Sequence, residues 1–559
     1  MGANAADEQS VALFAGRTAR EEIKLIAASS VGSIFEWFDF FLYGSLAVII
    51  SRNFFSSVNE STAFILALMA FAAGFAVRPF GAVVFGFLGD IWGRKNTFIV
   101  TLAVMGAATF GVGLLPTYRQ IGAAAPWILV ILRMLQGLSI GGVYGGAATY
   151  VAEHVDPARR GFFTSWLQIT PAGAMALSLI VIFGTRSFTG ETAFADWGWR
   201  IPFLLSSLLL GVTIWIQLKL SESPVYLKMK AAGKTSVRPW ADAFGNWRNV
   251  RLVLIALFGA MIGQAVVWYT AQFYVLFFLE RVLKLDGAVT NLLVAAAIFI
   301  STPLYIFFGW LSDRVGRRPL VLAACLLAAL TYYPLFKALT YAVNPQLSRA
   351  VAGAPVSVAA DPKDCSFQFD PIGRAKFATS CDIVRSYLAR AGVTYDTVDA
   401  PAGAIAEMRV GTRRLTSFRG ERLGSKELSA RRADWEKEAK VLVSEAGYPV
   451  SADVGKANIP LAILVLLAIM TSAAMVYGPM AALLTELFPA KVRYTSLSLP
   501  YHLGNGWFGG FLPTVAFAIV AATGNIYSGL WYPLFFAALT FVVGICFLPE
   551  TKGADLRAY

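Results

Sequence analysis

"GFLGDIWGRK" at residues 86–95 returns as "GWLSDRVGRR" at residues 309–318. Both copies fit G-x-L-x-D-x-x-G-R-[KR], and each follows an apolar run long enough to span a bilayer, for which about 20 residues suffice. Working outward from the two copies, such runs lie near 25–50, 62–88, 97–116, 126–152, 162–185, 200–219, 251–279, 288–311, 319–341, 459–485, 495–521 and 527–548. The first copy follows the second run and the other follows the eighth, so the chain reads as a duplicated unit. The expected fold class is an all-α membrane protein of twelve transmembrane helices in two six-helix halves, with a polar insert between helices 9 and 10. The domain expectation is a tail 1–24, a first half 25–219, a linker 220–250, a second half 251–548 interrupted by the insert 342–458, and a tail 549–559.

Composition agrees. The 559 residues are 57% hydrophobic and only 14% charged, with mean hydropathy +0.61, where a soluble protein carries about 25% charged residues. The net charge of +13 is spread over short loops and the insert, which argues against a nucleic-acid partner. The first 24 residues lack the charged, apolar and small-residue segments of a cleavable signal, so the first run is expected to remain as an anchor. With both termini in the cytoplasm, the inner loops are far richer in Lys and Arg than the short outer loops, which hold Arg52, Arg119, Arg186, Arg281 and Lys284. The positive-inside rule therefore puts both termini in the cytoplasm of a bacterial inner membrane and the insert outside. "GKTS" at 233–236 lacks the upstream glycine of a phosphate-binding loop, since position 228 is Lys228. Two histidines and four cysteines without metal spacing give no expectation of a metal or cofactor.

"RMLQGLSIGG" (133–142) resembles, with the paired loops, the signatures of the major facilitator superfamily of secondary transporters. Within it the chain is most similar to the metabolite:proton symporters, through "EWFDFFLYG", "GGAATYVAEH", "RRGFFTSWLQ", "WGWRIPFLLS", "SESPVY", "ELFPAKVRYTSLSLPYHLGNGWFGG" and "PETKG". The resemblance covers nearly all of the chain outside 342–458 and implies a transporter rather than an enzyme; a monomer is the expected functional state. Members carry citrate, 2-oxoglutarate, other organic acids, shikimate, proline or betaine together with protons. One departure is "GGVYGG" (141–146), in which Val143 stands where many members have a glutamate.

The residues carry their own argument. A charge at mid-membrane is costly and usually faces the bundle interior. Glu36 and Asp39 are three apart, on one helical face continued by Tyr43. At ~1.5 Å per residue, Asp39 lies roughly 16 Å below the outer end of its run and Arg133 about 10 Å below the end of its own, so a pair is within reach. Such an acid beside a guanidinium can load and release a proton; the plainer alternative is that these acids only hold helices together. Asp39, Glu36 and Arg133 are thus the expected proton-coupling set. Tyr43, Arg78, Gln136, Gln264, Trp268, Gln272, His502 and Asn505 are the expected substrate contacts, with stabilising one of the acids as the other reading of Arg78 and satisfying backbone freed by Pro500 as the other reading of His502. Gln264, Trp268 and Gln272 form an i, i+4, i+8 stripe, with helix packing as the other reading. In "LPYHLGNGWFGG" (499–510), Pro500 and four glycines predict a helix broken beside a cavity.

Gly86, Asp90, Gly93, Arg94, Gly309, Asp313, Gly316 and Arg317 of the paired loops are read as gates, each aspartate meeting a helix N-terminus or an arginine when the inner side is shut. The insert is expected to be a small α/β cap, with helices near 375–391 and 426–446, β-like stretches at 393–399 and 404–417, and a Cys365–Cys381 bridge. The functional expectation is a proton-coupled symporter importing a small metabolite, an organic anion, by alternating access. Its partners are that substrate, protons and the lipid bilayer. A proton-driven exporter and a transporter-like sensor or docking protein are the alternatives.

Overall fold

The computed structural model describes residues 19–56, 60–219, 222–233, 236, 238–366 and 377–556. Among them, eleven helices are long and apolar enough to cross a membrane. With the first helix they complete twelve. In chain order these are α1 Ala19–Ser45 (continued as Ala47–Phe54), α2 Glu60–Trp92, α3 Arg94–Leu114 and α4 Ala124–His154. The first half closes with α5 Pro157–Thr189 and α6 Arg200–Lys219. The second half holds α7 Trp247–Val282, α8 Gly287–Val315, α9 Arg317–Val343, α10 Ile459–Leu487, α11 Ala490–Thr523 and α12 Ser528–Phe547.

Each half is a packed six-helix bundle, and small residues set how close its helices come. At the α2–α4 crossing a Cβ on Gly137 would strike the backbone of Gly74, so glycine lets the two backbones touch. Apolar side chains on the outward faces, among them Phe183, Phe188, Leu208 and Phe535, are exposed as lipid requires. The linker is laid across the bundle end that carries the paired motifs. Val225, Tyr226 and Met229 bury against Ala490, and Lys491 pairs with Asp242 at 2.8 Å, a hydrogen bond that holds this carboxyl below its usual range.

Two helices depart from regular α geometry. The stripe on α7 is interrupted by π turns at Leu257–Met261, Thr270–Tyr274 and Phe278–Val282, so Gln264 and Gln272 do not sit on a straight line. The predicted break in α11 takes the form of a π-helical segment Leu503–Gly509 after Pro500 and a turn at Gly510 and Phe511, after which the helix restarts at Leu512. Both changes reorient side chains while keeping backbone groups bonded inside the membrane, the usual use of a π turn.

The insert between α9 and α10 is an α/β unit. Strands β1 Val356–Ala360, β2 Tyr395–Asp399, β3 Glu407–Val410 and β4 Arg413–Thr416 form one sheet in the order β2-β1-β3-β4. β1 is parallel to β2 across the helix Ser380–Ala391, and β3 is antiparallel to β1 and to β4. The helix Ser425–Glu445 closes the sheet, with the Trp435 indole donating to the Thr416 carbonyl. β1 is a strand the sequence pattern missed, and the first predicted helix begins at Ser380, with 375–376 outside the described residues. Every hydrogen bond between insert and bundle among the described residues goes to the second half. Tyr395 N–H donates to Gly524, Arg385 to the Ala522 carbonyl, and Ala452 N–H to Lys284.

Candidate functional site

Asp39 lies one helical turn before Tyr43 on α1, facing into the first half. Arg133 Nη1 donates to its Oδ2 at 3.2 Å and Gln136 Nε2 to its Oδ1 at 2.9 Å. Both donors stand on one face of α4, three residues apart. Gln136 Nε2 also lies 2.8 Å from the Thr109 hydroxyl of α3, while Arg133 covers the Tyr43 ring at 4.0 Å. The Tyr43 hydroxyl donates to the Ala67 carbonyl. Thus Tyr43 and Gln136, expected among the substrate contacts, are engaged around the Asp39–Arg133 pair. Arg133 Nε and Nη2 have no hydrogen-bond partner, so the carboxylate is this cation's one ionic anchor.

Glu36 sits on the same helix but faces a different place, the seam between the halves. It makes no hydrogen bond among the described residues, and Arg78 is the cation that acts on it through space. Around it stand aromatic groups from both halves. Tyr144 stacks on Tyr501 with centroids 3.6 Å apart, Tyr501 shares a hydrogen bond with Tyr477 at 2.8 Å, and Trp37 meets Trp268 at 5.3 Å. Arg78 lies over the Phe75 ring at 4.3 Å. Gln264 accepts from Asn505 at 3.1 Å, and Trp268 donates to Tyr305 at 3.2 Å. Trp268, Gln272 and Tyr305 line a small cleft against α5 of the other half.

This seam carries polar atoms with no partner: both ring nitrogens of His502, Nε2 of Gln264 and Nε of Arg78. Buried polar groups are nearly always satisfied, so these unsatisfied atoms stand out in a seam that also holds the Glu36 carboxylate. No group of three or more metal-ligating side chains exists among the described residues.

The paired motifs close the opposite end of the seam. Asp90 accepts from the Thr495 N–H at 3.1 Å and its hydroxyl at 2.7 Å, in the first turn of Arg493–His502 within α11. Asp313 accepts from the N–H groups of Gly161 and Phe162, both at 2.8 Å, in the first turn of Arg160–Ser165 within α5. Each aspartate therefore caps a helix belonging to the other half, where the orphan N–H groups and the dipole favour a carboxylate. Gly86 approaches the Thr495 backbone and Gly309 that of Gly161, which leaves no room for a side chain at either crossing. Gly93 and Gly316 take φ of 103° and 106°, in the left-handed region that glycine alone enters cheaply. Arg317 bonds Asp313 at 2.7 Å; the Arg94 side chain lies outside the described residues.

A second ring of charges was not read from the sequence. Arg493 bonds Glu153 at 2.6 Å, and Arg160 bonds Glu486 at 2.8 Å, a carboxylate also held by Arg317 at 3.2 Å. Glu222 accepts from Lys95 N–H, and Glu550 from Arg317 N–H and Arg318 N–H. The signal was present: Glu153 and Arg160, like Glu486 and Arg493, are seven apart at the turns before α5 and α11. Cys365 and Cys381 are bonded in the insert, with Cα atoms 5.1 Å apart.

A family model described as "Sugar (and other) transporter" matches residues 25–238 and 441–559. The alpha-ketoglutarate permease of Escherichia coli (strain K12) is 33% identical over 328 residues, covering 58% of this chain and 74% of the permease. The proline/betaine transporter of the same strain is 34% identical over 311 residues, 54% of this chain and 61% of the transporter. The chain thus spans between 61% and 74% of these relatives' own length. Among solved structures, the MFS (major facilitator superfamily) proton:xylose symporter XylE from E. coli, bound to 6-bromo-6-deoxy-D-glucose, matches with TM-score 0.61 at 15% identity over 97% of this chain and 98% of that one. At that identity the likeness speaks to the fold.

Proposed function

The chain belongs to the sugar (and other) transporter family of the major facilitator superfamily, and from that premise we propose that it is a proton-coupled symporter importing a small organic anion. It is a multi-pass membrane transporter and not an enzyme. The observation that carries the finer reading is the division of labour between two carboxylates three residues apart. Asp39 is enclosed with Arg133 and Gln136 inside one half, whereas Glu36, likewise buried, makes no hydrogen bond among the described residues and lies within electrostatic reach of Arg78 and of tyrosines from both halves. A proton arriving at Asp39 releases Arg133, and movement of α4 against α1 is then felt at Glu36 and Tyr144 in the seam.

Arg78 and His502 give the seam groups suited to a carboxylate, and the aromatic walls suit a compact carbon skeleton. In this reading the motif end faces the cytoplasm of a bacterial inner membrane, both termini lie there, and the insert lies outside. The two aspartate caps and the Glu–Arg ring hold the inner side shut while substrate enters from the other. The named activities of the relatives, alpha-ketoglutarate permease and proline/betaine transporter, support a small charged metabolite.

The test is a thermal-shift screen of the purified protein over organic acids, amino acids and betaines, followed by uptake of the best ligand into proteoliposomes. Bound ligand raises the melting temperature with its concentration over Kd. Binding without concentrative flux replaces the symporter with a sensor, and efflux driven by an inward proton gradient replaces import with export.

A further inference from the structure

We propose that the insert is a thiol–disulfide exchange module whose Cys365–Cys381 bond is chemically active toward an external thiol. The insert's sheet lies in residues 239–440, which the family model leaves unmatched together with α7, α8 and α9. Its topology is a parallel strand–helix–strand unit followed by a hairpin and a closing helix, in sheet order β2-β1-β3-β4. In thioredoxin-like redox proteins a C-x-x-C pair lies near such a unit. Here the two cysteines are 16 apart rather than adjacent in a short motif, yet the chemical placement is similar. β1 runs toward Cys365, and Cys381 opens the crossover helix in its first turn.

The two sulfurs are unequal. Cys381 is fully buried and Cys365 only partly so, which directs an incoming thiolate to Cys365. Cys381 is then the leaving group, and the N–H groups at a helix start stabilise a thiolate. Asp382, the acid beside it, is already occupied: its two oxygens accept from the Ser366 N–H and hydroxyl, both at 2.8 Å. On the other flank the Thr379 hydroxyl donates to the Asp364 carbonyl. The chain on both sides of the bond is thus clamped by hydrogen bonds that do not involve sulfur. After reduction the sulfurs stay neighbours, so the bond can close again.

In the exchange, a thiolate RS⁻ attacks Cys365 Sγ and the Cys365–Cys381 bond breaks, its electron pair going to Cys381 as a thiolate. A second thiolate attacks the mixed disulfide, leaving RSSR and a Cys365 thiolate. The two protons given up by the thiols end on the two cysteines, and two electrons pass to the protein.

The experiment uses the full chain carrying Cys325→Ala and Cys546→Ala, equilibrated in glutathione/glutathione disulfide mixtures, quenched by alkylation and read by mass. The pair should titrate reversibly, with the circular-dichroism spectrum unchanged in the reduced form. In the single variants, glutathione disulfide should label Cys365 in Cys381→Ser at least about ten-fold faster than Cys381 in Cys365→Ser, as exposure governs access. A bond that stays oxidised in folded protein under excess dithiothreitol overturns the proposal, as does reduction that unfolds the insert or equal labelling of the two variants.

Discussion

Asp39 is the residue whose neighbours make the sharpest demand. Its two oxygens are taken by Arg133 and Gln136, and Arg133 has no other hydrogen-bonded partner for its remaining nitrogens. Asp39→Asn keeps the size and one acceptor but removes the titratable group. Accumulation driven by a proton gradient should fail, while substrate counterflow, which needs no net proton movement, should persist. An unpaired buried guanidinium costs roughly 3–5 kcal/mol, so the melting temperature should fall as well. Glu36→Gln is the informative comparison, because Glu36 faces the seam and not Arg133. It should weaken substrate binding in the thermal-shift assay and leave the Asp39 cluster intact. Accumulation that survives in Asp39→Asn would transfer the proton site to Glu36. Spacing placed both acids on one helical face, and it paired Asp39 with Arg133. What spacing could not separate was their surroundings: which acid looks inward and which looks across depends on the neighbours of α1, and these are set by packing.

At the scale of elements, the same helix-start device is used twice. Asp90 caps α11 and Asp313 caps α5, and in each capped first turn an arginine, Arg493 or Arg160, is bonded to a glutamate of the other half. The proposed gate was half legible in the sequence. The ten-residue repeat is visible because its residues are contiguous, whereas Glu153 and Glu486 act through partners brought close only by folding. Glu486 is the node, since Arg160, Arg317 and Thr551 all bond it. Glu486→Gln should therefore open the motif end, a loss of about 3 kcal/mol being roughly a hundredfold in the closed-to-open ratio. Distances between spin labels on the motif ends of α4 and α10 would lengthen; an unchanged distribution removes Glu486 from the gate. The insert was legible as α/β, but β1 was missed because its residues, "VSVAA", are short and small with no alternation to mark a strand. Its disulfide closes a loop worth ~3 kcal/mol in the chain-entropy model. Cys365→Ser should accordingly lower the melting of the insert yet leave the twelve-helix core transporting at near its normal rate. Loss of transport in properly inserted Cys365→Ser protein would make the insert part of the cycle.

For the whole molecule, the arrangement of contacts says which parts move together. The halves meet through the aromatic seam and the charged motif end, while the insert bonds to α7, α9 and α11 of the second half alone among the described residues. In the proposed cycle, rocking of one half against the other carries the insert as cargo and requires the aspartate caps and the Glu–Arg ring to break together. Such breakage is affordable only if something offsets several buried ion pairs, and the two candidates are substrate filling the unsatisfied seam and a proton neutralising Asp39. Either alone leaves a deficit: substrate without the proton leaves Arg133 locked, and the proton without substrate leaves the seam's polar groups unpaired. The prediction is strict coupling. In proteoliposomes with an inward proton gradient, ligand should accumulate above its external concentration, and a protonophore should collapse that accumulation to equilibration. A salt gradient of equal magnitude should not replace the proton gradient. Uptake that proceeds unchanged when the proton gradient is abolished overturns symport for this chain, and leaves the Asp39–Arg133 pair as a structural tie between α1 and α4.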